Sequence, residues 1–269
     1  MDLKLRNAAV LVTGGSRGIG LAIAKGFVAE GARVAICGRD QARLEAAAAE
    51  IGGGTIGFQA DLFQPDDCRA VVERAIAHFG GLDVLINNAS TNVDGTPGSL
   101  EDMTDPQVME RFMGKTMGAI RCTRAALPAL KKAGAGRVVN IGGSSARTVG
   151  RHRPGAPSGL PQGIGNAALA NFTRHLAEEV ARDGIVANII HPSLTRTDRH
   201  IGRMERRAAS SNISIEAAEA EVGDTFPIGR VPTPEDIVPL VLLFASPLAA
   251  AITGQALAVD GGIGMSVQY

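Results

Sequence analysis

Few residues in this chain can move a proton near neutral pH. There are five histidines and three cysteines, and the single tyrosine, Tyr269, is the last residue. The stretch best suited to hold a reactant is instead Thr13-Gly14-Gly15-Ser16-Arg17-Gly18-Ile19-Gly20, set between an apolar run at 8–12 and the amphipathic Leu21-Ala22-Ile23-Ala24-Lys25-Gly26-Phe27. Glycines 14, 18 and 20 remove Cβ atoms where a backbone must turn tightly, approach a phosphate and pack helix on strand. The free amides and positive dipole end of the following helix favour a pyrophosphate, held by Gly14, Ser16, Arg17, Gly18, Ile19 and Gly20. Such glycines alone also fit an ordinary strand-to-helix turn.

A second charge-bearing site lies one strand later. Many dinucleotide sites place a carboxylate there to bond the adenosine ribose; this chain has Gly38-Arg39. A carboxylate would repel a 2′-phosphate, whereas Arg39, with Arg17, can pair with it, so NADP(H) is favoured over NAD(H). The alternative is that both arginines are solvated, since Asp40 is adjacent.

The elements that must position these groups follow from hydrophobic periodicity and punctuation. A strand is expected over 8–13, a helix over 18–30, a strand over 32–37 and a helix over 41–50. A third strand ends at Gln59-Ala60-Asp61-Leu62, followed by a helix over 65–79, a strand over 82–86 and a loop over 91–105. One long helix is expected over 106–132, then a strand over 136–141 and an unpatterned segment over 144–165. A helix follows over 166–180, a strand over 185–190, a helical lid over 198–222 and an apolar helix near the C-terminus. Strands alternating with helices in this rhythm make a single-domain α/β fold, a doubly wound parallel sheet with helices on both faces. Its ligand crevice opens at the carboxyl ends of the strands.

Composition is consistent with that reading. The 269 residues are 45% hydrophobic with no break in composition, enough for one large core. Lysine plus arginine and aspartate plus glutamate both number 27, so no overall field is available to hold nucleic acid or an anionic membrane, and neither is expected as a partner. Cys37, Cys68 and Cys122 match no ligand spacing, so reduced thiols and no metal are expected. A charged N-terminus and the lack of any run of 18 apolar residues point to a cytoplasmic location.

Several motifs stand in a fixed order: Thr13-Gly14 to Gly20, Asn87-Asn88-Ala89-Ser90 after the fourth strand, Pro192-Ser193-Leu194-Thr195-Arg196-Thr197, and Pro227 through Gly262. In these the chain resembles the short-chain dehydrogenase/reductase family, with its Rossmann-type fold, over nearly its whole length. The resemblance implies that Asp61, with Leu62, receives the adenine amino group, although a turn or helix cap is the local alternative. It implies that Asn88 and Ala89 line the cofactor and brace the sheet, and that Pro192, Thr195 and Thr197 hold the nicotinamide amide. Ser90 and Ser193 stand where the family has glycine.

The family's proton chemistry needs a tyrosine, a lysine four residues later, a serine and an asparagine. No Tyr-x-x-x-Lys is present. Aligning Asn166-Ala167-Ala168-Leu169 with the family's Lys-Ala-Ala-Leu puts Asn166 at the lysine and Gln162 at the tyrosine, neither an acid nor a base near pH 7. The serine position falls on Gly143, with Ser144 and Ser145 adjacent, and Lys115 occupies the asparagine position. Lysine and asparagine have thus exchanged places. Asn166 can still bond the ribose, and a partly desolvated Lys115 can exchange protons or polarise a carbonyl; the alternative is a solvated helix lysine. His152 is an outside acid/base candidate, otherwise a solvated loop residue, and His191 is expected to order its turn.

Arg147, Arg151, Arg153, Arg196, Arg199, Arg203, Arg206 and Arg207 would surround the crevice mouth and favour a small, anionic substrate or thioester carrier, unless they form a solvated face. The expected function is hydride transfer between NADP(H) and a carbonyl or alcohol through an atypical active site. The alternative is a non-redox lyase or hydrolase on the same fold, or a nucleotide-binding, non-catalytic subunit. A homodimer or homotetramer is expected by analogy.

Overall fold

The computed structural model describes residues 1–90, 99–149 and 159–264. Seven parallel strands form one sheet: β1 Ala9–Thr13, β2 Arg33–Gly38, β3 Ile56–Gln59, β4 Val84–Asn87, β5 Arg137–Ile141, β6 Val186–Pro192 and β7 Ala256–Val259. Their order is 3-2-1-4-5-6-7, so the chain reverses direction across the sheet between β1 and β4 and leaves a crevice above that switch point.

The central strands β1, β4, β5 and β6 are buried along their length because both faces are covered, whereas the edge strands β3 and β7 keep exposed positions. On one face α1 (Gly18–Ala29), α2 (Gln41–Ile51) and α9 (Pro234–Ala245) pack Ile23, Phe27, Leu44, Ile237, Val241 and Phe244 onto Val10, Val12, Ile36 and Ile86. On the other, α3 (Pro65–Phe79), α5 (Gly118–Ala133) and α6 (Leu160–Val180) bring Val71, Val72, Cys122, Ala126, Leu130 and Leu176 against Leu11, Ala35, Leu85 and Val138. The three cysteines are free and buried. No described helix is long and apolar enough to cross a membrane.

Three elements depart from the periodicity. The helix expected over 106–132 is divided into α4 (Asp105–Arg111), a π-helical turn at Phe112–Met117 and α5. A π turn inserts one extra residue per turn, which a 3.6-residue pattern cannot register. The helix expected to begin at Asn166 begins at Leu160, with Pro161 in its first turn, where its fixed φ suits a helix start. Gly163 and Gly165 hid that turn from a propensity reading. The expected lid is two helices, α7 (Asp198–Ser211) and α8 (Ile215–Gly223), because Asn212 adopts a left-handed conformation (φ 51°) that ends the first.

Candidate functional site

A cleft of about 700 Å³ runs along the carboxyl edge of the sheet. At one end lies the glycine turn. Gly14 has φ +65°, and a Cβ on it would sit 2.8 Å from the Cα of Ala89; a Cβ on Gly20 would collide with the Gly14 carbonyl oxygen. No side chain caps α1, and no acidic residue stands in its first turn, so the amides after Arg17 are left for an anionic ligand. This is a cradle that fits a dinucleotide diphosphate.

The turn is braced from β4. Thr13 Oγ1 accepts from the amides of Asn88 (3.0 Å) and Ala89 (3.1 Å), and Asn88 Nδ2 donates to the carbonyls of Thr13 and Gly14, both at 3.0 Å. Behind it, Asn87 Nδ2 donates to Asn140 Oδ1 (2.9 Å) and Thr123 Oγ1 (3.0 Å), and Asn140 Nδ2 donates to Thr173 Oγ1 (2.8 Å). Buried amides joined in this way tie β4, β5, α5 and α6 into one frame.

Arg17, Arg39 and Arg43 all line the adjoining part of the cleft. Asp40 lines the same part of the cleft, but its carboxylate caps α2, accepting from the Arg43 amide (3.0 Å), and lies 3.5 Å from the Arg43 guanidinium. Asp61 and Leu62 also line the cleft, and Asp61 Oδ1 accepts from the Phe63 amide at 3.2 Å, the turn-capping role open to it locally.

At the far end lies the turn after β6, which carries Ser193. Ser193 Oγ donates to the Asp260 carbonyl (3.1 Å) and Thr195 Oγ1 donates to the Ser193 carbonyl (3.0 Å). Pro192, Thr195 and Thr197 face the cleft. Thr197 closes the loop, its Cγ2 lying 3.2 Å from where a Cβ on Gly18 would stand.

Between these ends Lys115, Ser144, Ser145, Gln162 and Asn166 converge. Lys115 is not a solvated helix residue. The π turn places it, partly buried, with Nζ donating to the Gly142 carbonyl at 2.7 Å. Burial, then the nearby Arg111 and Arg199 guanidiniums, push its pKa from 10.5 down to about 7. Thr116, the next residue, donates to the Gly165 carbonyl (2.8 Å) and so locks the π turn to α6.

Asn166, 6% exposed, turns Nδ2 to Ser145 Oγ at 2.9 Å. A Cβ on Gly143 would lie 2.6 Å from that Nδ2, so the glycine and the asparagine are one steric arrangement: the amide fills the space a side chain at 143 would need. Asn166 Oδ1 and, one turn earlier on α6, Gln162 Oε1 are buried without a partner among the described residues. Both are acceptors left for a hydroxyl or a water.

Of the arginines expected at the mouth, Arg199 and Arg203 line the cleft. Arg196 and Arg207 instead pair with Glu219 (3.0 Å) and Glu221 (2.7 Å), because the glutamate-rich α8 packs on α7. Arg147 donates to the Ala256 carbonyl (3.0 Å), and Arg206 does not face the cleft. Arg151, His152, Arg153 and Tyr269 lie outside the described residues.

The sequence reading missed His200, which lines the cleft from α7, is 2% exposed and has neither ring nitrogen bonded among the described residues. Burial lowers its pKa, opposed by Glu219 and reinforced by Arg203 and Arg196. Its signal was the four-residue spacing of His200, Met204 and Ala208, all buried, on an otherwise charged helix.

The profile described as Enoyl-(Acyl carrier protein) reductase matches residues 14–264. The chain belongs to the short-chain dehydrogenase/reductase family. It is an NAD(P)-dependent oxidoreductase of that type, as relatives matched over nearly the whole chain are named dehydrogenases and reductases. The 2-(S)-hydroxypropyl-CoM dehydrogenase 3 of Xanthobacter autotrophicus is 35% identical, covering 98% of this chain and 99% of that one. Among solved structures, L-sorbose reductase from Gluconobacter frateurii, complexed with NADPH and L-sorbose, superposes with a TM-score of 0.91 at 29% identity, covering 99% and 100% of the two chains. An actinorhodin polyketide ketoreductase with NADPH gives 0.86 at 29% identity, with 97% and 98% coverage. Residues 162 and 166, four apart on α6 and both lining the cleft, are glutamine and asparagine.

Proposed function

We propose that this protein transfers hydride between NADP(H) and the carbonyl or alcohol of a small, anionic substrate, with Lys115 as proton donor and acceptor. The observation that carries the reading is Lys115 itself, an ammonium partly withdrawn from water, resting on the Gly142 carbonyl and held near a pKa of 7. When bound, the dinucleotide supplies or accepts the hydride. For reduction the Lys115 ammonium gives its proton to the developing alkoxide oxygen; for oxidation the neutral amine takes it back. A group titrating near 7 is populated in both forms at the working pH, which is what a reversible proton carrier needs.

Ser145, oriented by Asn166, and Ser144 beside it supply hydroxyls to hold the carbonyl oxygen. Asn166 Oδ1 remains for a ribose hydroxyl. Gln162, at the aligned tyrosine position, offers an acceptor but no proton of its own. Arg17, Arg39 and Arg43 favour a 2′-phosphate over a bare ribose, and the Asp40 carboxylate that would oppose it is occupied at the α2 cap. Arg199 and Arg203, together with Lys115, give the substrate end an excess of positive charge that favours an anionic substrate.

Absorbance at 340 nm, followed with NADPH and then NADH against paired carbonyl acids and their esters, tests the reading. Turnover with NADPH and preference for the acids is expected; oxidation of neither nucleotide by any compound, with the nucleotides shown to bind, contradicts it. The protein is also expected to be a homodimer or homotetramer in the cytoplasm, which light scattering and fractionation check.

A further inference from the structure

His191 is a buried titratable group that the scheme above leaves without a task. It sits at the carboxyl end of β6, with no exposed surface. The β5–β6 ladder ends beside it, where the Gly142 amide donates to the Ile190 carbonyl at 2.7 Å. The next amide, that of Gly143, has no strand carbonyl to meet and donates instead to His191 Nδ1 at 3.1 Å.

That N–H and the Gly142 carbonyl belong to one peptide group. The group is planar and trans, so its N–H and C=O point in opposite directions. His191 holds one end and the Lys115 ammonium binds the other, at 2.7 Å. We propose that His191 is a positioning residue for Lys115: by accepting the Gly143 N–H it orients and polarises the Gly142 carbonyl that carries the lysine. The inference rests on the role given to Lys115 above.

Three features support it. A Cβ on Gly142 would stand 2.5 Å from His191 Nδ1, so the glycine is the counterpart of the ring. Hydrogen bonds in series through one polar group strengthen one another. The acceptor also persists where it is needed, because burial, then Arg147 and Lys115, hold His191 down at about 4. The ring is therefore neutral throughout the range in which Lys115 titrates, and Nδ1, accepting the Gly143 N–H, leaves the proton to Nε2, which is buried without a partner among the described residues. The charged groups facing the chain of bonds are Arg147 beside the ring, and Arg111 and Arg199 beside the lysine.

The test compares His191→Leu with His191→Asn, whose side-chain oxygen can accept the same N–H. In nucleotide-free protein, the pH dependence of Lys115 acetylation, read by mass spectrometry, reports the lysine directly. The leucine variant is expected to move that midpoint down by about one unit, since a less polarised Gly142 carbonyl disfavours the ammonium. It should also lower kcat by roughly 100-fold while the KM for NADPH stays unchanged. The asparagine variant should restore both. A wild-type midpoint and kcat in the leucine variant, or an asparagine variant as impaired as the leucine one, overturns the proposal.

Because the leucine variant can lose its fold, the wild-type tautomer is measured as well. Nitrogen-15 histidine spectra should show His191 protonated on Nε2 alone from pH 5 to 9, and a proton on Nδ1 in that range contradicts the inference. Acetylation is read whether or not turnover depends on Lys115. A shifted midpoint in an enzyme whose Lys115→Met variant remains active therefore rejects the functional reading and leaves the positioning intact.

Discussion

At the scale of single residues, Lys115 makes the account quantitative. If its ammonium supplies the proton for reduction, kcat/KM for reduction falls as pH rises through about 7, while that for alcohol oxidation rises over the same interval. A pair of pH–rate profiles that move in the same direction contradicts this. The same residue strains the fold. Its native pKa lies below the ordinary 10.5, so between pH 10.5 and 7 the unfolded chain binds the proton more readily, and stability drops as pH is lowered through that window. Lys115→Met should therefore raise Tm at pH 7, by about 2–4 °C for a gain of roughly 1 kcal/mol, with the gain shrinking toward pH 10. Differential scanning calorimetry at the two pH values reads the difference, and an equal or negative change at pH 7 would contradict it. At the nucleotide end, Arg39→Asp places a carboxylate against a 2′-phosphate and should lower the NADPH-to-NADH ratio of kcat/KM by roughly 10- to 100-fold. An unchanged ratio would return Arg39 to the solvent.

At the scale of elements, the glycine turn and the π turn differ in how far the sequence disclosed them. The glycine turn was legible because its causes are local: positive φ at Gly14 and Gly18, and the close approach at Gly20, all lie within seven residues and demand glycine. Gly20→Ala should accordingly abolish NADPH binding, since the new methyl displaces the Gly14 carbonyl and with it the amides of the cradle. Fluorescence titration that finds wild-type affinity in this variant would refute the cradle. The π turn was not legible, because a single inserted residue leaves the apolar spacing of 106–132 almost unchanged while rotating Lys115 toward the cleft. Its anchor, Thr116 on the Gly165 carbonyl, comes from a helix 49 residues away. The lid was read as one element for a related reason: nothing in its composition marks Asn212 as a stop, and its charge pattern became interpretable only when Arg196 and Arg207 met the glutamates of α8.

At the scale of the whole molecule, six of the seven strands and their parallel arrangement are legible from apolar runs alternating with helices; β7, half exposed and four residues long, carries no such signal. What alternation conveys less well is which side chains meet above the sheet. Lys115 reaches Gly142 across 27 residues and Gly143 reaches His191 across 48, contacts set by the packing of β5, β6 and the π turn rather than by any motif. That Lys115 and Asn166 share one cleft was an expectation of the sequence, but the close approach of the Asn166 amide to Gly143 was not legible there. If Lys115 carries the proton, hydride transfer depends on it while nucleotide affinity, set at the glycine turn, does not. The most direct measurement is single-turnover hydride transfer at 340 nm in wild type and Lys115→Met, with NADPH affinity determined on the same samples. The account predicts equal affinity and a transfer rate reduced by about 100-fold or more in the variant. Equal affinity with an undiminished rate would contradict it.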